Sequence, residues 1–166
     1  MRSEATAAAE YKNNVVMNDP FAMRPFLGYN FGDYLKHWLS LKQPERNMPK
    51  IFHVNWFRRS SDGSFLWPGF GENIRILEWI FNRTEEKPCI DAVSTPVGLL
   101  PKQNDINLSN LNINQEKIDE LFKIDKVFWL KEANEIKDYF DEFVNDSTPS
   151  EIYDEINNLI KRLQNM

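Results

Sequence analysis

The aromatic run over residues 56–73 restricts the fold of this chain more than any other stretch. It holds five aromatic rings and a proline, and glycine stands on both sides of Phe70. A core strand does not need that arrangement, whereas a surface at which rings and backbone approach a flat ligand does. Stacking of an aromatic side chain on a nucleobase contributes about 1–3 kcal/mol of binding free energy per base. Asn73, at the end of the run, offers an amide donor and acceptor to a base edge.

The residues around this run predict its place in the fold. The apolar residues that follow it recur with the period of a helix; they are Ile74, Leu77, Ile80 and Phe81. They predict a helix over residues 73–82. Before the run, a strand over 50–57 leads to a hairpin-type turn at 60–63 and a second arm at 64–67. The glycine-rich turn therefore precedes a helix N-terminus, where free N–H groups favour electron-rich ligand atoms.

Other segments carry weaker signals. Residues 15–17 predict a short strand, and Asp33 is the expected N-cap of a helix that ends near Leu41. Residues 85–105 predict a surface loop.

The last third of the chain has the pattern of successive helices. Asn114 is the expected cap of a helix over 115–122, and a longer helix is expected over 127–144. The final helix carries the residues of a capping box, which are Thr148 as N-cap, Pro149 in the first position and Glu151 in the third. The expected fold is therefore α/β, a mixed, partly irregular sheet with an aromatic hairpin and a C-terminal helical tail. Residues 16–83 form the α/β part, 84–113 a loop and 114–166 the tail.

Composition narrows the function classes. The chain has 166 residues and a net charge of −5, which argues against a surface that is mainly a nucleic-acid footprint. A small local basic patch at Arg58 and Arg59 is the alternative that the net charge leaves. A single cysteine excludes an intramolecular disulfide and a cysteine-cluster zinc site. No run has the length and apolar character of a membrane span, and no signal peptide is recognised, so a cytoplasmic location is expected.

Each candidate site residue also has an ordinary structural explanation. Three aromatic residues are assigned to core packing, namely Phe52, Trp56 and Trp79. Three others are assigned to the flat-ligand site because the turn around them is rich in glycine and proline, namely Phe57, Phe65 and Phe70. Glu72 is equally consistent with a role in complementing the helix dipole, and Asn73 with a role as N-cap only. The two histidines, His37 and His53, are too few and too badly spaced for a metal site.

Several stretches of the chain resemble the C-terminal part of GTP-dependent phosphoenolpyruvate carboxykinase. The stretches that carry the resemblance are MRSEATAAAE at 1–10, DPFAMRPF at 19–26, GYNFG at 28–32, IFHVNWFR at 51–58, FLWPGFGEN at 65–73 and TPVGLLPK at 95–102. The resemblance covers nearly the whole chain and weakens after about residue 102. It implies that the fold is part of the C-terminal nucleotide-binding domain of that family.

The resemblance also implies a function. The family converts oxaloacetate and GTP reversibly to phosphoenolpyruvate, carbon dioxide and GDP, with manganese or magnesium, and the whole protein is expected to be a monomer in the cytosol or mitochondrion. In the matched positions, Phe57, Phe65 and Phe70 would line a guanine slot. Gly71, Glu72 and Asn73 would complete the nucleotide contact.

The first 15 residues would belong to the mobile lid of the family. The lid residues are Ala5, Thr6, Ala7, Ala8, Ala9, Glu10, Tyr11, Lys12, Asn13, Asn14 and Val15. The family pattern continues after the alanines as Glu-His-Lys-Gly, whereas this chain has Tyr11 in place of the histidine and Asn13 in place of the glycine. Glycine adopts a positive φ easily, and asparagine tolerates it better than most residues do.

The matched region carries no catalytic residue of the family. The phosphate loop, the metal ligands, the reactive cysteine and the substrate-binding arginines all lie upstream in the family pattern. The chain by itself is therefore expected to bind the base of GTP or GDP and to have no turnover. The alternative is a non-catalytic nucleotide-binding or protein-interaction module that uses the aromatic hairpin. Neither nucleic acid nor a membrane is an expected partner.

Overall fold

The structure, a computed structural model, describes residues 26–85 and 91–166 and the backbone of residues 3–4 and 16–17. Its strands are β1 (Ser3–Glu4), β2 (Val16–Met17), β3 (Val93–Thr95) and β4 (Gly98–Leu100). Its α-helices are α1 (Phe31–Ser40), α2 (Ile74–Thr84), α3 (Gln115–Phe122), α4 (Lys126–Tyr139) and α5 (Ser150–Gln164). The fold is thus helical with two small antiparallel two-stranded sheets, consistent with the α/β class.

The chain divides into two compact units. The first unit comprises Met1–Met48 and Asp125–Met166, and the second comprises Pro49–Ile124. In the first unit β1 and β2 pair antiparallel, so β2 lies within the strand predicted at 15–17. The predicted lid, residues 5–15, lies outside the described residues. In the described part of the chain, no helix is both long and apolar enough to cross a bilayer.

Buried side chains from three helices make the core of the first unit. They come from α1, from the end of α4 with the π-helical turn that follows it, and from α5; they are Phe31, Leu35, Tyr139, Phe140, Val144 and Ile156. The helix predicted over 127–144 is confirmed in extent, since α4 continues directly into the turn Phe140–Val144. Burial of these large apolar side chains is the main stabilising contribution to this unit.

The N-terminus of α1 differs from the prediction. Asn30, not Asp33, is the N-cap: its Oδ1 accepts from the backbone N–H of Gly32 at 2.7 Å. Asp33 lies inside the first turn, where it pairs with Lys36 at 3.2 Å. The Asn30 amide also reaches the backbone oxygen of Val144 at 3.5 Å. The residue that caps α1 therefore also contacts a residue 114 positions later in the sequence.

The capping box predicted for the last helix is wrong. The N-cap of α5 is Pro149, which has no side chain to make a capping hydrogen bond, rather than Thr148. Glu151 does not reach back to the cap, because its carboxylate accepts from the Ser150 hydroxyl at 3.2 Å. In contrast, the helix predicted over 115–122 is confirmed as α3, and Asn114 Oδ1 caps it through the N–H of Lys117 at 3.0 Å.

In the second unit, the strand predicted over 50–57 is wrong. No strand is formed there, and the described residues provide no neighbouring backbone ladder for it. Residues 50–54 instead line an open groove together with α2 and β4. A strand is stabilised by its partner's hydrogen bonds and cross-strand contacts, so β-propensity without a partner does not suffice.

The second unit also contains a segment predicted as a helix and a segment predicted as a loop. The helix predicted over 73–82 is confirmed as α2, with Asn73 as the preceding residue. The loop predicted over 85–105 is wrong in part, because it contains the antiparallel hairpin β3–β4. Gly98 has a φ of 126°, which L side chains rarely adopt, and this glycine allows the tight connection.

Candidate functional site

A closed turn over residues 60–64 positions the first part of the candidate site. The Ser60 N–H donates to the Ser64 oxygen at 2.9 Å, and the Gly63 N–H donates to the Ser60 oxygen at 3.0 Å. On either side of the turn, Arg59 and Phe65 form an isolated antiparallel bridge. The turn predicted at 60–63 is confirmed, whereas its two arms pair only through this bridge.

Asp62 ties the turn together through its carboxylate. It accepts from the Ser60 hydroxyl and, at 2.8 Å, from the Ser64 N–H. The Ser60 hydroxyl is the main reason that the pKa of Asp62 is lowered from 3.8 to about 2, and the Ser64 hydrogen bonds lower it further. These bonds favour the ionised carboxylate.

We expect the contribution of Asp62 to the turn to depend on pH. Since the pKa is lower in the folded state, the stabilisation is complete above about pH 3.8 and is lost as the pH falls through about 2. NMR titration of the Asp62 carboxyl carbon is expected to give a midpoint near 2. Ser60→Ala should raise that midpoint, because the main hydrogen-bond donor is removed. An unchanged midpoint in the variant would contradict the assignment.

The turn brings the rings of Phe57 and Phe65 together. Their centroids are 6.1 Å apart and their planes are tilted by 59°. Phe57 is 72% exposed and Phe65 is 45% exposed. The Arg59 guanidinium lies over the Phe65 ring at 4.1 Å from its centroid and also donates to the Gly63 oxygen at 2.7 Å. The Arg59 guanidinium therefore covers one face of the Phe65 ring, and its hydrogen bond to Gly63 keeps it in place.

Phe70 is the most exposed aromatic ring of the site. It lies in the 3-10 turn Phe70–Glu72 and is 92% exposed, with no ring contact among the described residues. Gly69 before it has a φ of 125°, which explains why glycine is needed there. A Cβ on Gly71 would meet nothing within 4 Å, so the backbone after the ring is open to approach.

Asn73 lies at the start of α2, but its side chain makes no capping hydrogen bond. Its Oδ1 instead accepts from the indole N–H of Trp67 at 2.9 Å. Trp67 is only 7% exposed, so the amide is held from the buried side. The side chain of Asn73 is therefore oriented by a neighbour and not by the helix that it precedes.

Glu72 makes a local ion pair. Its carboxylate accepts from Arg75 Nε at 2.6 Å, and Arg75 also donates to the backbone oxygen of Asn107 at 2.6 Å. This ion pair is a structural role other than the helix-dipole interaction considered for Glu72, and it fixes the residue at the start of α2.

Arg58 is an anchoring residue that the sequence did not identify. Its guanidinium donates to the backbone oxygen of Leu121 at 2.9 Å and to that of Lys123 at 3.0 Å. These carbonyls lie at the end of α3, where cations are favourable. Arg58 and Arg59 thus both make internal contacts, but Arg58 is half-buried whereas Arg59 stays exposed. The only sequence signal was a charged pair beside aromatic residues.

The three aromatic residues assigned to the core differ in how deeply they are buried. Trp79 is 5% exposed and packs edge-on against Phe52, with the centroids 6.1 Å apart. Phe52 and Trp56 are half-buried. Among the described residues, no group of three or more His, Cys, Asp or Glu side chains is placed to hold a metal ion.

Comparison with known proteins identifies the relationship. The family model "Phosphoenolpyruvate carboxykinase C-terminal P-loop domain" matches residues 1–162. The chain is 54% identical over 168 residues to "Phosphoenolpyruvate carboxykinase, cytosolic [GTP]" of Gallus gallus. It is 50% identical over 167 residues to "Phosphoenolpyruvate carboxykinase [GTP], mitochondrial" of Homo sapiens.

An archaeal relative shows the same match. The chain is 50% identical over 163 residues to "Phosphoenolpyruvate carboxykinase [GTP]" of Thermoplasma volcanium, covering 98% of this chain and 27% of that protein. The chicken and human matches cover 100% of this chain and 26% of each relative. The chain therefore spans about a quarter of the length of these relatives. The match over residues 1–162 shows that it belongs to the phosphoenolpyruvate carboxykinase C-terminal P-loop domain family.

Proposed function

We propose that this chain is part of a GTP-dependent phosphoenolpyruvate carboxykinase and carries its guanine-binding slot. The whole protein would convert oxaloacetate and GTP to phosphoenolpyruvate, carbon dioxide and GDP, in the cytosol or the mitochondrion. The single observation that carries the proposal is the almost fully exposed Phe70 ring, three residues before an Asn73 amide that does not cap its helix. The names of the relatives support GTP as the nucleotide.

The proposed slot uses residues 57–65, which contain the closed turn and the Arg59–Phe65 bridge, and the 3-10 turn Phe70–Glu72. Phe57, Phe65 and Phe70 supply exposed apolar faces, which gain free energy when a base covers them. The exposed Gly71 lets the base approach the backbone, and Asn73 meets the base edge. Glu72 would act through its ion pair with Arg75, by fixing the turn that presents Phe70.

The chemistry of phosphoryl transfer would be supplied elsewhere in the protein. That reaction depends on cationic groups and metal ions that stabilise charge on the transferring group. The described residues do not fit the manganese or magnesium that the family resemblance implies, because they contain no ligand cluster for it. The role proposed for this chain is to bind and orient the nucleotide base.

We expect Phe70→Ala to weaken GDP binding by about 5- to 150-fold, since one stacking face contributes about 1–3 kcal/mol. Isothermal titration calorimetry of the chain and the variant measures this change. The exposure of Phe70 means that its removal leaves no cavity, so the variant should fold normally.

Phe128→Ala is the matched control for this experiment. Phe128 is 55% exposed and lies on α4 in the first unit. Its removal should leave the GDP affinity unchanged. Equal affinities of all three proteins would contradict the slot and favour the alternative, a protein-interaction module that uses the same exposed rings.

A further inference from the structure

The contact between Trp67 and Asn73 defines the direction of the asparagine amide. An indole N–H can only donate a hydrogen bond, so the amide atom that it meets must be the oxygen. The distance from Trp67 Nε1 to Asn73 Oδ1 is 2.9 Å, which is an ordinary hydrogen bond. A swap of the amide would place its NH₂ group against the indole N–H, donor against donor. The carboxamide is therefore held in one of its two orientations.

The held orientation leaves the donor end of the amide for other partners. The side chain makes no capping hydrogen bond to α2, and the residue is only half-buried. The NH₂ group accordingly has no recorded partner among the described residues. It stands at the start of a helix, three residues after the exposed Phe70 ring.

We infer that Trp67 is a positioning residue that sets the base preference of the proposed guanine slot, and this inference rests on the proposed function. By holding the Asn73 oxygen, Trp67 makes the residue present hydrogen-bond donors to the base. A 6-oxo purine offers an acceptor at that edge, whereas the 6-amino group of adenine is a donor. Asn73 thus selects the 6-oxo purines only while Trp67 holds it.

The test measures preference and not affinity alone. GDP, IDP and ADP are titrated calorimetrically into the chain and into Trp67→Phe, which keeps an aromatic ring and removes the N–H. IDP shares the 6-oxo group of GDP but lacks the 2-amino group, so it isolates the 6-position. Trp67→Phe frees the Asn73 amide to turn. We expect the chain's preference for GDP and for IDP over ADP to fall by about 3- to 10-fold, which corresponds to the loss of one hydrogen bond.

A second variant reverses the donor directly. Asn73→Asp keeps an oxygen for the Trp67 N–H but replaces the NH₂ group with a second oxygen. Its preference should move toward ADP relative to GDP and IDP, beyond any uniform loss caused by the added negative charge.

Trp79→Phe is the matched control. Trp79 belongs to the same unit and is 5% exposed, but its indole N–H has no hydrogen-bond partner among the described residues. The same substitution there should leave the ratio of ADP to GDP affinity as in the unchanged chain.

Two failures can be told apart. If Trp67→Phe weakens all three nucleotides equally, Trp67 only packs the site, and the inference is overturned while the proposed slot stands. If the unchanged chain does not prefer GDP and IDP over ADP, or binds none of them, the proposed function itself is contradicted and the inference falls with it.

Discussion

Replacing Gly32 with alanine is expected to destabilise the first unit by about 3 kcal/mol, at the upper end of overpacking costs. A Cβ at Gly32 would lie 2.6 Å from the carbonyl carbon of Ser147 and closer still to its oxygen. Both are backbone atoms, and Ser147 ends a 3-10 turn that the Thr148 N–H closes by donating to the Asn145 oxygen at 2.9 Å. The turn therefore cannot yield as a flexible side chain would.

Whether Gly32→Ala stabilises or destabilises the unit depends on two opposing contributions, the helix propensity of alanine and the clash of its Cβ with Ser147. Alanine in place of glycine inside a helix normally gains about 1 kcal/mol. The clash with Ser147 outweighs that gain, because it forces apart two elements that are in contact. Urea unfolding followed by circular dichroism measures the difference.

Gly28→Ala is the control for this prediction. Gly28 lies in the same unit, and a Cβ there would meet nothing within 4 Å. Its substitution should change the free energy of unfolding by no more than about 0.5 kcal/mol. If both variants unfold at the same urea concentration as the unchanged chain, the close packing of Gly32 against Ser147 is refuted.

Replacing Leu66 with alanine is expected to destabilise the second unit by about 2–5 kcal/mol. Leu66 is 2% exposed and lies between Phe65 and Trp67, so it anchors the residues of the proposed slot. Its N–H donates to the Arg58 oxygen at 2.9 Å, which ties the two arms of the hairpin. The cavity left by the side chain would loosen both arms, and GDP affinity should fall with stability.

Hydrogen exchange measured over residues 58–67 reports this effect locally. Leu99→Ala is the matched control, since Leu99 is 61% exposed in the same unit. The control should leave both exchange and GDP affinity nearly unchanged. Protection in Leu66→Ala that equals protection in the control would show that Leu66 is not the anchor.

Two helices whose signals lie in nearby residues could be predicted from the sequence. The signal for α3 is an asparagine followed by a short apolar period, and Asn114 caps that helix as expected. The apolar period after the aromatic run likewise places α2. Each of these signals acts within about one helical turn, so no distant contact is needed to decide it.

Two features that depend on distant residues could not be predicted. Residues 50–57 have the composition of a strand, but no strand among the described residues pairs with them. The cap of α1 falls on Asn30, whose amide also reaches Val144, far away in sequence. Local patterns carry no information on either partner.

The candidate site shows the same division. The aromatic and amide residue types from Trp56 to Asn73 are visible in the sequence, and they determined which kind of ligand to expect. Only the tertiary structure showed that Arg58 holds the end of α3 and that Trp67 holds the oxygen of Asn73. The physical reason is that residue type sets what a side chain can bind, whereas its direction is set by the partners that folding brings to it.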